Sequence, residues 1–297
     1  MLNNQLPNLL IVGAAKSGTT SLHHYLNQHP DVFMSSHKEP HFLISNEIGK
    51  SRIPNGVSDF AKYKMLFNDG QDQKYRGESS VMYLSFPEIV IPNIKQFLGD
   101  DVKIIIMLRN PIDRAFSGYQ HVKRYNEMEN LSFGQALKDA EKRYKNNEKM
   151  TPASRYKEIG LYYDMVKAFQ QDFKAVHIII YDDYAKNLKT ELEKVFEFLK
   201  LEKIEVDTSQ RHMVGGWQWK NEKMKKMVMM KSDFKSVLKF LLPKGLRKVF
   251  RKKLMQYNTE EIQEMSSENR IYLKDYYADD VERLSILLDR DLNHWIV

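Results

Sequence analysis

The stretch LLIVGAAKSGTTSLHHYL, residues 9–26, limits what this chain folds into more than any other. An apolar run ends at Gly13, passes through a loop of small residues and resumes with the periodicity of a helix. A short apolar run of this kind reads as a strand buried on both faces, as in the interior of a parallel sheet. The helix that follows begins with N–H groups that lack intrahelical partners, and its dipole adds positive charge there, so the turn favours an anion. Gly13 and Gly18 have the G-x-x-x-x-G spacing of a phosphate-binding loop. Ser17, Thr19, Thr20 and Ser21 add short hydroxyls to it, and such residues also suit a helix cap. A plain strand-to-helix turn with capping hydroxyls is the simpler alternative. A nucleotide kinase places its lysine directly after the second glycine, with the next Ser or Thr on Mg²⁺. Here Thr19 holds that position, and the lysine stands inside the loop as Lys16. A cation at the loop mouth suits the bridging oxygen of a shorter donor, a nucleoside monophosphate carrying one transferable group.

Further apolar runs predict more strands: IIIML at 104–108, HIIIY at 177–181, and a weaker one near Tyr75–Glu78. Each of the strong runs precedes a helix-like pattern, so right-handed crossovers and an α/β fold follow, a central parallel sheet flanked by helices in a P-loop-kinase-like layout. Residues 46–74 read as an excursion with a short helix, and 126–153 as a charged, mostly helical stretch. The final segment reads as a helix with Tyr276, Val281, Leu284 and Leu288 facing the core, and Trp295 docking its end. With 42% apolar residues the chain can bury a large core, and the expectation is one domain over 1–297.

Cysteine is absent, which removes disulfides, thiolate metal sites and cysteine nucleophiles. The start, MLNNQLPN, has no basic region of a signal peptide, and no run approaches the ~18 apolar residues of a membrane span. A soluble cytoplasmic protein is expected. The net charge of +7 is uneven: residues 220–253 carry 13 Lys/Arg against 2 Asp/Glu. Within this stretch, inside a basic helical segment at about 220–255, Phe234, Val237, Leu238 and Leu241 follow helical spacing. It reads as a cationic rim beside a site, or as a peripheral contact with an anionic membrane at the inner surface. A nucleic-acid partner is not expected, since no zinc-ligand set or RNA-binding aromatic motif accompanies the charge.

A second constellation is IIIMLRNPIDRAFSGY at 104–119, where an arginine ends a strand and Ser117 follows eight residues later. Arg109 offers a bidentate fork for a phosphate, and a capped helix with a surface Arg109–Asp113 pair is the simpler alternative. A third is RHMVGGWQWKN at 211–221, where Gly215, Gly216 and Lys220 suit a phosphate-facing loop. An ordinary Gly-Gly turn with packed tryptophans is the alternative there.

VGAAKSGTTSLHHYLNQHPDV with KEPHFL resembles the 5′-phosphosulfate loop of the sulfotransferase family, and LRNPIDRAFSGY is similar to that family's 3′-phosphate-binding segment. The likeness is closest to the carbohydrate (heparan-sulfate-type) and bacterial branch. It implies 3′-phosphoadenosine-5′-phosphosulfate as donor, adenosine 3′,5′-bisphosphate as product, no required metal, and a carbohydrate or glycolipid acceptor sulfated on a hydroxyl or, less readily, an amine. It also implies that Arg109 and Ser117 hold the 3′-phosphate, that a glycine-containing loop at 211–221 closes over the donor, and that Glu39 is the general base. His41 would then orient Glu39 or act as base itself, and Lys16 would stabilise the leaving oxygen. The pattern departs at Ile44, where some relatives carry an acidic residue, and at Ser79, where they often carry lysine. Heparan-type acceptor specificity therefore does not carry over, and Glu78 and Ser79 remain acceptor-side candidates. A P-loop kinase is the competing enzymatic reading, with Asp182 and Asp183 after HIIIY as magnesium ligands or, more simply, as helix caps.

Overall fold

The computed structural model describes residues 6–126, 128–209, 217–221, 225, 257–261 and 264–297. Five parallel strands form the sheet: β1 (Leu9–Gly13), β2 (Val32–Met34), β3 (Tyr75–Ser79), β4 (Lys103–Leu108) and β5 (Val176–Ile180). Their spatial order is β2-β3-β1-β4-β5. The apolar runs produce this sheet because both of its faces are covered. On one face Leu9, Ile11, Ile105, Met107 and Ile179 pack with residues of α1 (Thr19–Leu26) and α9 (Leu188–Phe198). On the other, Leu10, Val12, Ile104, Ile106 and Leu108 meet α4 (Pro87–Phe97), α5 (Pro111–Tyr125), α7 (Tyr162–Asp172) and α10 (Ser267–Leu287). The result is the three-layer α/β sandwich expected from the alternating pattern.

Strand order positions the site. The chain leaves β1 toward β2 and β3 on one side, then crosses to β4 and β5 on the other. Loops at the carboxyl ends of β1 and β4 thus flank the switch point, where open α/β sheets bind ligands. The end of β3 lies against β1 from the other side, with Ile11 in register with Ser79. Gly13 is where the β1–β4 register shifts, and a Cβ there would stand 2.7 Å from Leu84 Cβ, so only glycine lets the loop approach this closely.

The excursion at 46–74 holds α3 (Phe60–Met65), and the charged stretch holds α6 (Phe133–Asn146). β2 was not anticipated; three residues leave too little periodicity to read. In α10, Val281 and Leu284 are buried as expected, whereas Leu273 and Tyr277 hold the other core positions and Tyr276 and Leu288 are only partly buried. Trp295 is 1% exposed and docks the C-terminus. Asp182 and Asp183 do not cap a helix at Tyr184. They lie in the first turn of α8 (Tyr181–Lys186), where Asp182 accepts from Trp295 Nε1 at 2.8 Å and Asp183 pairs with Arg290 at 2.9 Å. Among the described residues, no helix is long and apolar enough to cross a membrane, and no acidic or histidine group is assembled to hold a metal.

Candidate active site

The loop between β1 and α1 turns on Gly18, which caps the helix in a left-handed conformation at φ 91°. Neither threonine caps. Instead Ser21 Oγ donates to Gly18 O at 2.8 Å, so the hydroxyl expected to face a ligand is committed to its own loop. Thr19 is buried and Thr20 half-buried at the start of α1. Ser17 is fully buried, yet its hydroxyl has no hydrogen-bond partner among the described residues. A buried orphan hydroxyl at a helix N-terminus is costly by ~1–3 kcal/mol unless a ligand satisfies it. That fits a donor phosphate here.

Lys16 has a left-handed backbone (φ 71°) and its ammonium pKa is pushed down to about 8. Burial is the main cause, followed by the neighbouring cations of Arg124, Arg109 and Lys38, with Glu39 opposing. Three further cations and one carboxylate thus act on the Lys16 ammonium. Such a cluster favours an anionic guest, which would restore charge balance.

Arg109 leaves the end of β4 beside this loop. Its Nη1 donates to Lys16 O at 3.3 Å, and its guanidinium lies 5.0 Å from the Tyr181 ring. Tyr162 Oη donates to Arg109 O at 3.1 Å and fixes the strand end. Ser117 is half-buried on α5. The two loops singled out from sequence, some 90 residues apart, therefore meet.

The third segment is brought in only partly. Gly215 and Gly216 lie outside the described residues, as does the basic run apart from 220, 221 and 225. Trp217–Trp219 form a short strand, β6, antiparallel to β7 (Thr259–Glu261). The tryptophans are half-buried and pack on the end of α5 rather than in the core: Arg124 lies 5.1 Å from the Trp217 ring, and Trp219 Nε1 donates to Arg124 O at 3.2 Å. Lys220 is exposed, with its N–H donated to Asn258 O.

On the other side of β1, the loop after β2 delivers Glu39 and His41. Glu39 N–H donates to Ser79 O at 3.0 Å, and Glu39 Oε2 accepts from Val81 N at 2.9 Å. Lys38 Nζ contacts Glu39 Oε1, and His41 Nε2 lies 3.3 Å from Glu39 Oε2. Burial, the dominant cause, holds the His41 pKa below its ordinary value despite Glu39. The neutral imidazole can donate through Nε2 to Glu39, and its Nδ1 is buried without a partner among the described residues. Glu39 (φ 62°) and His41 (φ 50°) both have left-handed backbones, each costing ~1–3 kcal/mol that the surroundings must offset.

Glu78 and Ser79 do not face an acceptor. Both are fully buried; Ser79 Oγ lies 2.8 Å from His23 Nδ1. Ile44 is likewise buried. Sequence reasoning missed His121 and Arg124. His121 stands one helical turn beyond Ser117 on α5, and burial together with Lys16 and Arg124 lowers its pKa to about 4. It is a neutral imidazole beside the Lys16 cation, and the i, i+4 spacing from Ser117 was the signal available.

A family profile described as sulfotransferase domain matches residues 6–271. The membrane-associated sulfotransferase kil1 of Dictyostelium discoideum is 33% identical over 114 residues, which cover 38% of this chain and 22% of that protein. Human carbohydrate sulfotransferase 15 is 26% identical over 249 residues, 66% of this chain and 44% of the relative. Human bifunctional heparan sulfate N-deacetylase/N-sulfotransferase 1 is 25% identical over 292 residues, 96% and 30% respectively. The chain spans less than half the length of each of these relatives. Among solved structures, a sulfotransferase from Alicyclobacillus acidocaldarius superposes with a TM-score of 0.74 at 29% identity, covering 97% of this chain and 98% of that one.

Proposed function

This chain belongs to the sulfotransferase family, and on that premise we propose that it moves a sulfuryl group from 3′-phosphoadenosine-5′-phosphosulfate to a hydroxyl of a carbohydrate or glycolipid. The observation that carries the reading is the contact of Arg109 Nη1 with Lys16 O. It joins the two segments that a donor with phosphates at both its 3′ and 5′ positions requires, around the orphan Ser17 hydroxyl. Thr19, Thr20 and the loop N–H groups would receive the 5′-phosphate, and Arg109 with Ser117 the 3′-phosphate. When bound, the donor supplies an electrophilic sulfur linked to a phosphate leaving group.

Glu39 takes the acceptor proton as the oxygen–sulfur bond forms. His41 donates toward Glu39 Oε2 and fixes that carboxylate's orientation. As the bridging bond breaks, its electron pair remains on the phosphate oxygen, and the Lys16 ammonium stabilises that charge. Lys16, Arg109, Arg124 and Lys38 supply four positive charges, so the chain's own residues can meet the donor's charge without a metal. The names of the carbohydrate and heparan sulfate relatives favour a sugar acceptor. The basic run at 220–255 is proposed as a cationic rim for that acceptor or for an anionic membrane surface. Liposome sedimentation with and without residues 222–253 separates these.

The test is transfer of labelled sulfate from the donor into a panel of glycans and glycolipids. Label in at least one glycan, lost with Lys16→Ala, supports the reading. No transfer to any acceptor by a folded protein that also fails to bind adenosine 3′,5′-bisphosphate overturns it.

A further inference from the structure

Glu78 is a carboxylate beneath the site that the proposed chemistry does not use, and its surroundings are unusually specific. It is fully buried on β3, forms no ion pair among the described residues, and accepts three hydroxyl protons. Tyr63 Oη and Tyr83 Oη donate to Oε1, each at 2.8 Å, and Ser80 Oγ donates to Oε2 at 2.6 Å. Two of these hydroxyls have a second partner. Ser80 Oγ accepts His41 N–H at 3.0 Å, and Tyr83 Oη accepts Leu43 N–H at 3.2 Å. Because a backbone N–H only donates, Ser80 Oγ and Tyr83 Oη accept there, which leaves each hydroxyl proton free to point at Glu78. Both chains then run from amide to hydroxyl to carboxylate.

These two amides belong to the N-cap and second residue of α2 (Phe42–Ile48), a helix whose cap, His41, has no side-chain capping bond. They close the loop in which Glu39 and His41 hold left-handed backbones. We infer that Glu78 is a positioning residue, a remote cap that acts through Ser80 and Tyr83 to set the Glu39–His41 pair at the angle needed for proton removal. The inference rests on the reading of Glu39 as base. Two hydroxyls meet at Oε1 and one at Oε2, an arrangement in which a carboxylate accepts all three protons. Burial raises the Glu78 pKa to about 7, the expected consequence of holding that charge without a cation.

The experiment uses Ser80→Ala, Tyr83→Phe, Glu78→Gln and the pair Ser80→Ala/Glu78→Gln, with Glu39→Gln alongside. Each is measured for kcat, for affinity toward adenosine 3′,5′-bisphosphate, and for hydrogen exchange of the 39–45 amides. Ser80→Ala and Glu78→Gln are each expected to lower kcat by ~10–100-fold, the scale of a small misplacement of a catalytic group. Nucleotide affinity should stay within about twofold, since the donor loop is untouched. The 39–45 amides should exchange faster, and the double variant should be little worse than the poorer single one, because both act through one chain. If Glu78→Gln does not fold, Ser80→Ala and Tyr83→Phe carry the test. Unchanged kcat and exchange in folded Ser80→Ala and Tyr83→Phe, with Glu39→Gln inactive, overturns the positioning role alone. Full activity in Glu39→Gln overturns the base assignment instead.

Discussion

The two loops that flank β1 are built in opposite ways. The proposed donor side, residues 13–21 with Arg109, is made of backbone and charge: a left-handed glycine cap, an orphan hydroxyl, and cations whose charges oppose one another. Its internal electrostatics are unfavourable until an anion arrives. The proposed base side, residues 35–45 with the end of β3, is made largely of side-chain hydrogen bonds between its own residues, with His41 Nδ1 unpartnered among the described residues. Glu39 is held by Val81 N–H and His41, and beneath them Glu78 collects three hydroxyls. On the proposed reading, the first loop gains its charge balance from a bound anion, whereas the second holds its groups through its own hydrogen bonds. Pre-organisation is of most use where a proton must leave along a defined line, and charge deficit where a polyanion must be captured.

If the two sides are separate devices, a substitution on one should leave the other's measurement unchanged. The largest effect is expected on the base side. Glu39→Gln should lower turnover by ~10³-fold, within the range of general base catalysis, while calorimetric affinity for adenosine 3′,5′-bisphosphate is unchanged. A parallel loss of affinity would join the two devices. On the donor side, Arg109→Ala should weaken binding of the bisphosphate by ~10–100-fold, the cost of a charge-assisted phosphate contact, and adenosine 5′-monophosphate far less. Equal loss for both nucleotides would move Arg109 away from the 3′-phosphate.

A pH titration sharpens the contrast further. Because the Lys16 pKa is lowered to about 8 in the free protein, its cation is present below that pH and lost above it. Nucleotide affinity should therefore fall above about pH 8, by at most ~10-fold per pH unit for one proton, and the fall should vanish in Lys16→Ala. The smallest effect belongs to Ser17→Ala. Removing an unpartnered buried hydroxyl should leave the thermal midpoint unchanged or slightly raised, while nucleotide affinity drops by ~3–10-fold. A clear loss of stability would mean that the hydroxyl already has a partner.

The same contrast explains what was legible in the sequence. The donor side is contiguous: Gly13, Lys16 and Gly18 sit in one motif, and Arg109 ends an apolar strand, so spacing and periodicity reveal them. The central strands read clearly because burial on both faces demands unbroken apolar runs. The base side is assembled from residues 39, 41, 63, 78, 80 and 83, whose relation depends on β3 lying beside β1. Glu78 reads in the sequence as an accessible acid, because nothing local announces three hydroxyls folding over it. Ser21 reads as a ligand donor because a loop hydroxyl's choice between its own backbone and a guest is a matter of geometry. Arg124 and Trp217 meet only through the packing of β6 on α5, and no pattern in either segment signals the other.

The most direct test of the donor site is a pair of titrations of the intact protein. Adenosine 3′,5′-bisphosphate in EDTA is set against ATP with Mg²⁺, each followed by calorimetry. The charge-deficient loop and the Arg109 contact call for tight, EDTA-insensitive binding of the bisphosphate at one per chain, and weaker binding of ATP. Tight ATP binding that requires Mg²⁺, with no uptake of the bisphosphate, would contradict the account and return the loop to phosphoryl chemistry.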